Sequence, residues 1–193
     1  MSRTSLAFIY FGVCALIVLF IVFLSQDTPA RYLAPFLGSV LITIGWIVAS
    51  ENTIKNAQRQ QSVSIVLYYN GDKVGQKHRA TIVEFLPDPK TILQPGGELP
   101  SFGDEGHPLL RAIDYELNFF EFVAVGVRRE VLHEGLIKDS FYTNFLQMRD
   151  SCRQYIAYVQ GRYGPTVWVH YSWICDKWGK EGASELSEWT DRL

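Results

Sequence analysis

From Leu6 to Leu24 the chain runs nineteen residues without a charge (LAFIYFGVCALIVLFIVFL), and a second apolar stretch follows from Tyr32 to Ala49. A helix needs roughly 20 mostly apolar residues to cross about 30 Å of hydrocarbon. The first run reaches that length alone; the second is a little short, so it requires little tilt or the help of its polar flanks. A cleaved secretory signal has an apolar core of roughly 7–15 residues ending at a small-residue site. Here the core is longer and leads through Ser25-Gln26-Asp27-Thr28-Pro29 into the second run. The expectation is a retained transmembrane hairpin over residues 1–50, with spans of about 5–24 and 32–50.

Arg3 precedes the first span, Asp27 and Arg31 lie between the two, and Lys55 and Arg59 follow the second. The basic excess lies on the side shared by both termini, and the positive-inside rule then puts both in the cytoplasm. Cys14 sits inside a span, while Cys152 and Cys175 have neither a disulfide framework nor metal-ligand spacing, as suits a reducing compartment. About 140 residues follow the spans, enough for one small core. The formal charge of −2 gives no global attraction to nucleic acid.

Residues 50–61 contain no Gly or Pro, so the second span is expected to continue from Pro35 to Asn70 as one helix, with 51–72 as a stalk and Asn70-Gly71-Asp72 as its stop. A cytoplasmic helical domain then fills 73–193. A helix is predicted from Lys73 to Leu86, with Val74, Thr81, Ile82 and Phe85 inward. The segment from Pro87 to Pro108 holds five prolines and four glycines in 22 residues and reads as a loop, most simply an exposed connector. Leu110, Ile113, Leu117, Phe120, Ala124 and Val127 keep helical spacing, so 109–132 reads as a central buried helix, its neighbours Phe119, Phe122 and Val123 extending the cover. A further helix begins at Gly135, with Leu136, Ile137, Phe141, Phe145, Met148, Cys152, Ile156 and Val159 inward, until Gly164-Pro165 breaks the chain. Val167, Trp168, Tyr171, Ile174, Cys175 and Trp178 form a last amphipathic segment. No alternating strand pattern is present, and the fold class is all-α: a two-helix transmembrane hairpin continuing into a cytoplasmic helical bundle.

No motif specifies catalysis. Gly103 and Gly106 are not followed by the Lys-Ser or Lys-Thr of a phosphate loop. His78, His107, His133 and His170 lack paired zinc spacing, so neither a metal nor another cofactor is expected. Glu116 and Glu121 are five apart, about 140° around a helix, and do not converge as acid and base. The protein is not read as an enzyme.

Ser39, Thr43 and Ser50, with Thr53 beyond them, fall near one face of the second span. In an oligomer they could line a polar path; alone in lipid, such hydroxyls bond back to their own helix. Gly38, Gly45 and Ala49, with Ala34, form an opposite small-residue set for close helix packing. Arg128 and Arg129 near the end of the central helix, and Arg149 and Arg153 four apart on the next, are candidates for binding an anionic ligand, since the arginine fork matches phosphate geometry. The bland alternatives are dipole compensation and surface ion pairs. Tyr155 and Tyr158 are candidates for stacking on bases.

The run Leu117-Asn118-Phe119-Phe120-Glu121-Phe122-Val123-Ala124-Val125-Gly126-Val127-Arg128-Arg129, followed by an acidic position and Gly135-Leu136-Ile137, resembles the signature of a bacterial family of helical domains of unknown function that stand behind two amino-terminal spans. The stretch from Asn56 to Tyr69 is also similar to that family. In its pattern a glycine follows the paired arginines; Glu130 stands there in this chain, which leaves the turn geometry open. In overall organisation the chain is similar to the membrane effectors of the Hailong anti-phage system. That resemblance implies a homo-oligomeric ion channel, such as a tetramer, whose cytoplasmic domain binds a DNA-like oligonucleotide from a partner nucleotidyltransferase and which depolarises or permeabilises the membrane once released from control. The competing expectation is a membrane-tethered helical module that recruits a protein partner.

Overall fold

The computed structural model describes residues 33–86, 88, 91–93 and 100–190, with side chains from 38 to 182 among these. The described chain is all-α. Its five helices are α1 (Leu33–Gly71), α2 (Lys73–Phe85), α3 (Pro108–Arg128), α4 (Glu134–Tyr163) and α5 (Val169–Thr190), with no strand among the described residues. Contacts divide the chain into two units, Met1–Ile54 and Lys55–Leu193, and the boundary falls within α1.

In the first unit, Leu41, Ile42, Ile44, Trp46, Ile47 and Val48 of α1 are all exposed. Among the described residues no helix is long and apolar enough to cross a membrane. The expected span at about 5–24 lies outside the described residues, as does the start of the expected span at 32–50.

The second unit is organised by side-chain stops and starts. Asp72 interrupts α1 and α2 by accepting from the Val74 and Gly75 amides at 3.0 and 2.9 Å, so the turn read at Asn70-Gly71-Asp72 is also an N-cap. His107 caps α3 by accepting from Leu109 N at 3.2 Å, with Pro108 in the first turn, where its missing N–H costs nothing. His133 caps α4 in the same way through Leu136 N at 3.3 Å. The amino end of α5 follows Trp168, which cannot cap, and Glu121 of α3 supplies the acceptor: its carboxylate takes the His170 and Tyr171 amides at 3.3 and 2.7 Å.

Inside, the apolar stripes predicted for α3, α4 and α5 meet as expected: Leu110, Ile113, Leu117, Phe120, Ala124 and Val127 are buried, as are Ile137, Phe141, Phe145, Cys152, Tyr171, Ile174 and Trp178. Aromatic rings form the centre, with Phe145 4.4 Å from Phe120 and 5.2 Å from Trp178 between centroids. The Tyr171 hydroxyl is satisfied by Phe145 O at 2.7 Å. The last turns of α1 join this core through Tyr69, edge-on to Phe141 at 5.0 Å.

The inward face of α2 differs from its prediction. Ile82 packs on the core as expected, but Val74 and Phe85 are exposed, and Ile82 is joined on the inward face by Gly75, Arg79 and the C-cap residue Leu86, a face about 100° away around the helix from Val74. An arginine on the buried face disguised the period. A Cβ at position 75 would stand 2.8 Å from Asp72 Oδ2 and 3.0 Å from Arg79 Nη1, so only glycine fits without displacing them. Phe122 of α3 is likewise exposed rather than covered. The described parts of the Pro/Gly-rich segment are not a bare connector: Leu93 is fully buried with its amide donating to Ser151 O at 2.9 Å, and Phe102 is buried edge-on against Tyr155.

After α3 the chain reverses with Glu130 at φ 56°, while the Val131 and Leu132 amides both return to Gly126 O. This is the left-handed position of a helix C-terminus, where the resembling family carries glycine. Gln58 of α1 donates to the Glu130 carbonyl and Ser62 accepts from His133 N at 2.8 Å, fastening α1 to this turn. Glu130→Gly keeps both backbone contacts and removes the left-handed penalty, so it should stabilise the protein by about 1 kcal/mol in urea unfolding.

Glu134, in the first turn of α4, accepts from Lys177 Nζ at 2.6 Å and from Trp178 Nε1 at 3.0 Å. Burial opposes its ionisation, but these partners more than offset it and hold its carboxyl below the usual range. With the folded value depressed, its contribution is present above the ordinary glutamate range and is lost as pH falls through the lowered one. Lys177→Met should therefore lower stability at neutral pH and flatten the acid limb of the stability curve measured by thermal unfolding.

Candidate ligand site

Within the Lys55–Leu193 unit, an open cavity of about 740 Å³ lies where α2, α3, α4 and the segment before α3 meet. On α3 it is lined by Arg111, Asp114, Tyr115 and Asn118, spaced i, i+3, i+4, i+7 and so on one face. On α4 Tyr155, Tyr158, Val159 and Tyr163 oppose them. Phe102 and Glu105 close one side, His78 another, and Trp168 a third. Six Phe, Tyr and Trp rings thus share the lining with polar groups of different character: two carboxylates, a carboxamide, a guanidinium and an imidazole.

Each wall is held. The Tyr155 hydroxyl donates to Asp114 Oδ1 at 2.8 Å. Burial pushes the Asp114 carboxyl up, against the hydrogen bond from Tyr155. Burial together with the Asp114 carboxylate raises the Tyr155 phenol. The Trp168 indole donates to Asn118 Oδ1 at 2.9 Å and is buried, with its backbone at φ 53°. A left-handed tryptophan is strained, and the hydrogen bond and burial are what hold it. At the rim Glu105 accepts from the Tyr163 hydroxyl at 2.7 Å and pairs with Arg162 at 3.1 Å, while Arg162 also donates to the Tyr158 hydroxyl. His78 stacks on Tyr115 at 4.6 Å, and the Tyr115 hydroxyl donates to Asp72, which keeps the Asp72 carboxyl below its ordinary range.

A smaller cavity of about 250 Å³ borders the same unit beside Tyr69, Arg79 and Glu116. Glu116 is buried and paired with Arg79 at 3.2 Å. Arg79 also donates to Tyr69 O at 2.6 Å and lies 3.9 Å over the Tyr69 ring. Burial pushes the Glu116 carboxyl up in spite of Arg79. It pushes the Tyr69 phenol to about 12, with help from the Glu116 charge. This cluster spends its hydrogen bonds on the fold.

The four arginines singled out in the sequence do not converge. Arg149 pairs with Asp150 and Asp176 and donates to Cys175 O at 3.2 Å; Arg153 is exposed and pairs with Asp150. Arg128 lies 5.5 Å over the Trp173 ring, and Arg129 is exposed at the α3 C-cap. Around α5, the positions met by Arg149 (175, 176 and 179) and by Arg128 (173) lie on different sides, since each residue turns the helix by about 100°. Tyr155 and Tyr158, by contrast, do share a cavity. In α1, Thr43 donates to Ser39 O at 2.8 Å and Thr53 to Ala49 O at 2.9 Å, the back-bonded state open to such hydroxyls. Ser50 is exposed, and a Cβ at Gly38 or Gly45 would meet nothing within 4 Å. Glu116 and Glu121 serve separate partners, Arg79 and the start of α5.

Asp114, Asn118, Phe102 and Trp168 were not singled out from the sequence as ligand groups. The signal available was the second stripe on α3: Arg111, Asp114, Tyr115 and Asn118 repeat with the same period as the buried stripe, but on a different face. Among the described residues no group of three or more His, Cys, Asp or Glu could hold a metal ion.

Removing Arg79 would leave Glu116 buried without its cation. Arg79→Met should cost about 3 kcal/mol in urea unfolding. The double variant with Glu116→Gln should cost less than the sum of the two single changes, because they share one interaction.

No curated protein and no solved structure matches the chain. A family model does, over residues 36–178, described as a domain of unknown function, DUF4760. The matched segment takes in most of α1, all of α2 to α4 and the start of α5, including every wall of the large cavity. The chain belongs to the DUF4760 family.

Proposed function

We propose that the protein is a homo-oligomeric effector of the bacterial inner membrane, held by a two-helix amino-terminal hairpin with both termini in the cytoplasm, and that a nucleotide-class ligand bound by the helical domain gates an ion path. The observation that carries the ligand part is the large cavity lined by Phe102, Tyr155, Tyr158 and Trp168 with Asp114, Asn118 and Arg111 among them. Aromatic walls take a planar base through its π-face, and base-on-ring stacking is worth about 1–3 kcal/mol per base. Arg111 is the arginine of that lining and the group suited to a phosphate.

The membrane part is supported by the two apolar runs and by the exposure of apolar side chains along α1 from Leu41 to Val48. A helix segment apolar in every direction suits lipid or other spans better than water. The role in anti-phage defence rests on the resemblance in organisation alone. Ser39, Thr43 and Ser50 remain the proposed pore stripe, with Gly38, Gly45 and Ala49 as the packing face.

The test is current through a planar bilayer containing the full-length protein, with and without mononucleotides and short DNA oligonucleotides. Discrete currents altered by ligand are expected. Tyr158→Ala should raise the ligand concentration needed by about tenfold. Leucine at 39, 43 and 50 together should abolish conductance while leaving ligand binding intact. A silent bilayer holding folded, inserted protein would replace the channel by the membrane-tethered interaction module.

A further inference from the structure

Resting on the reading of the large cavity as the ligand site, we propose that Asp114 and Asn118 make it selective for guanine. The two residues stand four apart on α3, so their side chains are neighbours on one face, about 6 Å apart at Cβ. Each has one half already committed. The Tyr155 hydroxyl takes one lone pair of Asp114 Oδ1, so Oδ2 and the second lone pair of Oδ1 are what the carboxylate can offer a ligand. An indole N–H can only donate, so Trp168 fixes the Asn118 amide with Oδ1 towards itself and leaves Nδ2 as the group Asn118 can offer. The site therefore presents a fixed donor beside a partly desolvated carboxylate, between aromatic walls.

Guanine alone among the common bases carries an acceptor, O6, next to two adjacent donors, N1–H and N2–H₂. Asn118 Nδ2 donates to O6 while the Asp114 carboxylate accepts from N1–H and N2–H₂, three bonds of which two are charge-assisted. Adenine offers Asp114 only its N6 donor, and uracil only N3–H. Cytosine has one donor and two acceptors, the second of which would face the carboxylate. The discrimination comes as much from repulsion as from attraction, because a base that turns a lone pair towards Asp114 sets it against a partly desolvated negative charge. The raised Asp114 carboxyl adds a consequence: guanine donors stabilise the ionised form, so binding should weaken as pH falls through the carboxyl's elevated range. The facing titratable groups, His78 on α2, Glu105 before α3 and Tyr155 on α4, belong to the same lining.

The experiment is isothermal titration of the full-length protein in detergent with GMP, IMP, AMP, CMP and UMP as probes. GMP should bind at least about tenfold more tightly than AMP, the worth of one extra charge-assisted hydrogen bond. IMP, which lacks N2–H₂, should fall between them. Asp114→Asn should bring GMP and AMP to within about threefold of each other, GMP losing more affinity than AMP, and the ligand-side comparison with IMP stands whether or not that variant folds. Equal affinities for GMP and AMP, or a guanine preference that survives Asp114→Asn, would overturn the inference while leaving the cavity as a nucleotide site. Absence of binding by all five probes would remove the nucleotide reading of the cavity and this inference with it.

Discussion

The Arg79 guanidinium is held on three sides: by the buried Glu116 carboxylate at 3.2 Å, by the Tyr69 carbonyl at 2.6 Å, and by the Tyr69 ring beneath it at 3.9 Å. Those partners belong to α3 and to the end of α1, and Arg79 itself belongs to α2, so one side chain sets the mutual placement of three helices. Its net contribution to stability is not the point, since a buried pair gains little over well-packed apolar residues of the same volume. Its value is that few other arrangements satisfy both charges, so helices whose apolar faces could slide past one another have a single register. Gly75, crowded by Asp72 and Arg79, is the backbone expression of the same constraint.

From that junction the rest of the domain follows by packing. Tyr69 carries the end of α1 onto Phe141 and Phe119, and Phe120 passes the contact to Phe145 and Tyr171. Because α3 has its apolar stripe in this aromatic core, its second stripe of Arg111, Asp114, Tyr115 and Asn118 is left to face the large cavity. The cavity is thus a by-product of how α3 is oriented, and α3 is oriented by Glu116 as well as by its leucines. Asp72 ties the two regions together, capping α2 through Val74 and Gly75 and accepting from Tyr115, a cavity wall.

The helical bundle was legible in the sequence wherever a helix has one apolar face and no charge on it. For α3, α4 and α5 the period alone identified the core, because Phe120, Phe145 and Trp178 recur on stripes whose apolar members outnumber the one buried polar residue of α3, Glu116, and of α4, Ser151. It misled in α2, where Arg79 occupies the inward face and Val74 and Phe85 look outward; apolar periodicity cannot register a buried ion pair whose other half lies 37 positions away. The segment 87–108 looked like a connector because its composition forbids a regular element, yet composition does not say where Leu93 and Phe102 anchor. The arginines drew attention because charge is conspicuous, but Arg149 is committed to Asp176 and Cys175 O on α5, partners no local pattern announces. Tyr155 and Tyr158 could be paired in the sequence because they lie near one face of α4, and both line the large cavity. Asp114 and Asn118 could not, because their roles depend on hydrogen bonds from Tyr155 and Trp168 that exist only once the helices have packed.

The charges of the cavity constrain what part of a nucleotide can enter it. Asp114 and Glu105 line it against Arg111, so its lining is not cationic, and a polyphosphate pushed among those carboxylates would meet repulsion in a partly desolvated setting. A base meets no such barrier: its faces are matched by tyrosine and tryptophan rings and its donors by the very carboxylate that excludes phosphate. On the proposed reading, a nucleotide would enter base first, its phosphates left towards Arg111 and solvent. A site used in that way would read one base and tolerate whatever chain is attached to it, which would suit a mononucleotide and the end of an oligonucleotide equally. The exposed Arg129 and Arg153 need not be part of the recognition chemistry at all. If they touch a longer ligand, they would do so as screened surface charges whose effect fades with salt, whereas the proposed base contacts in the cavity would persist.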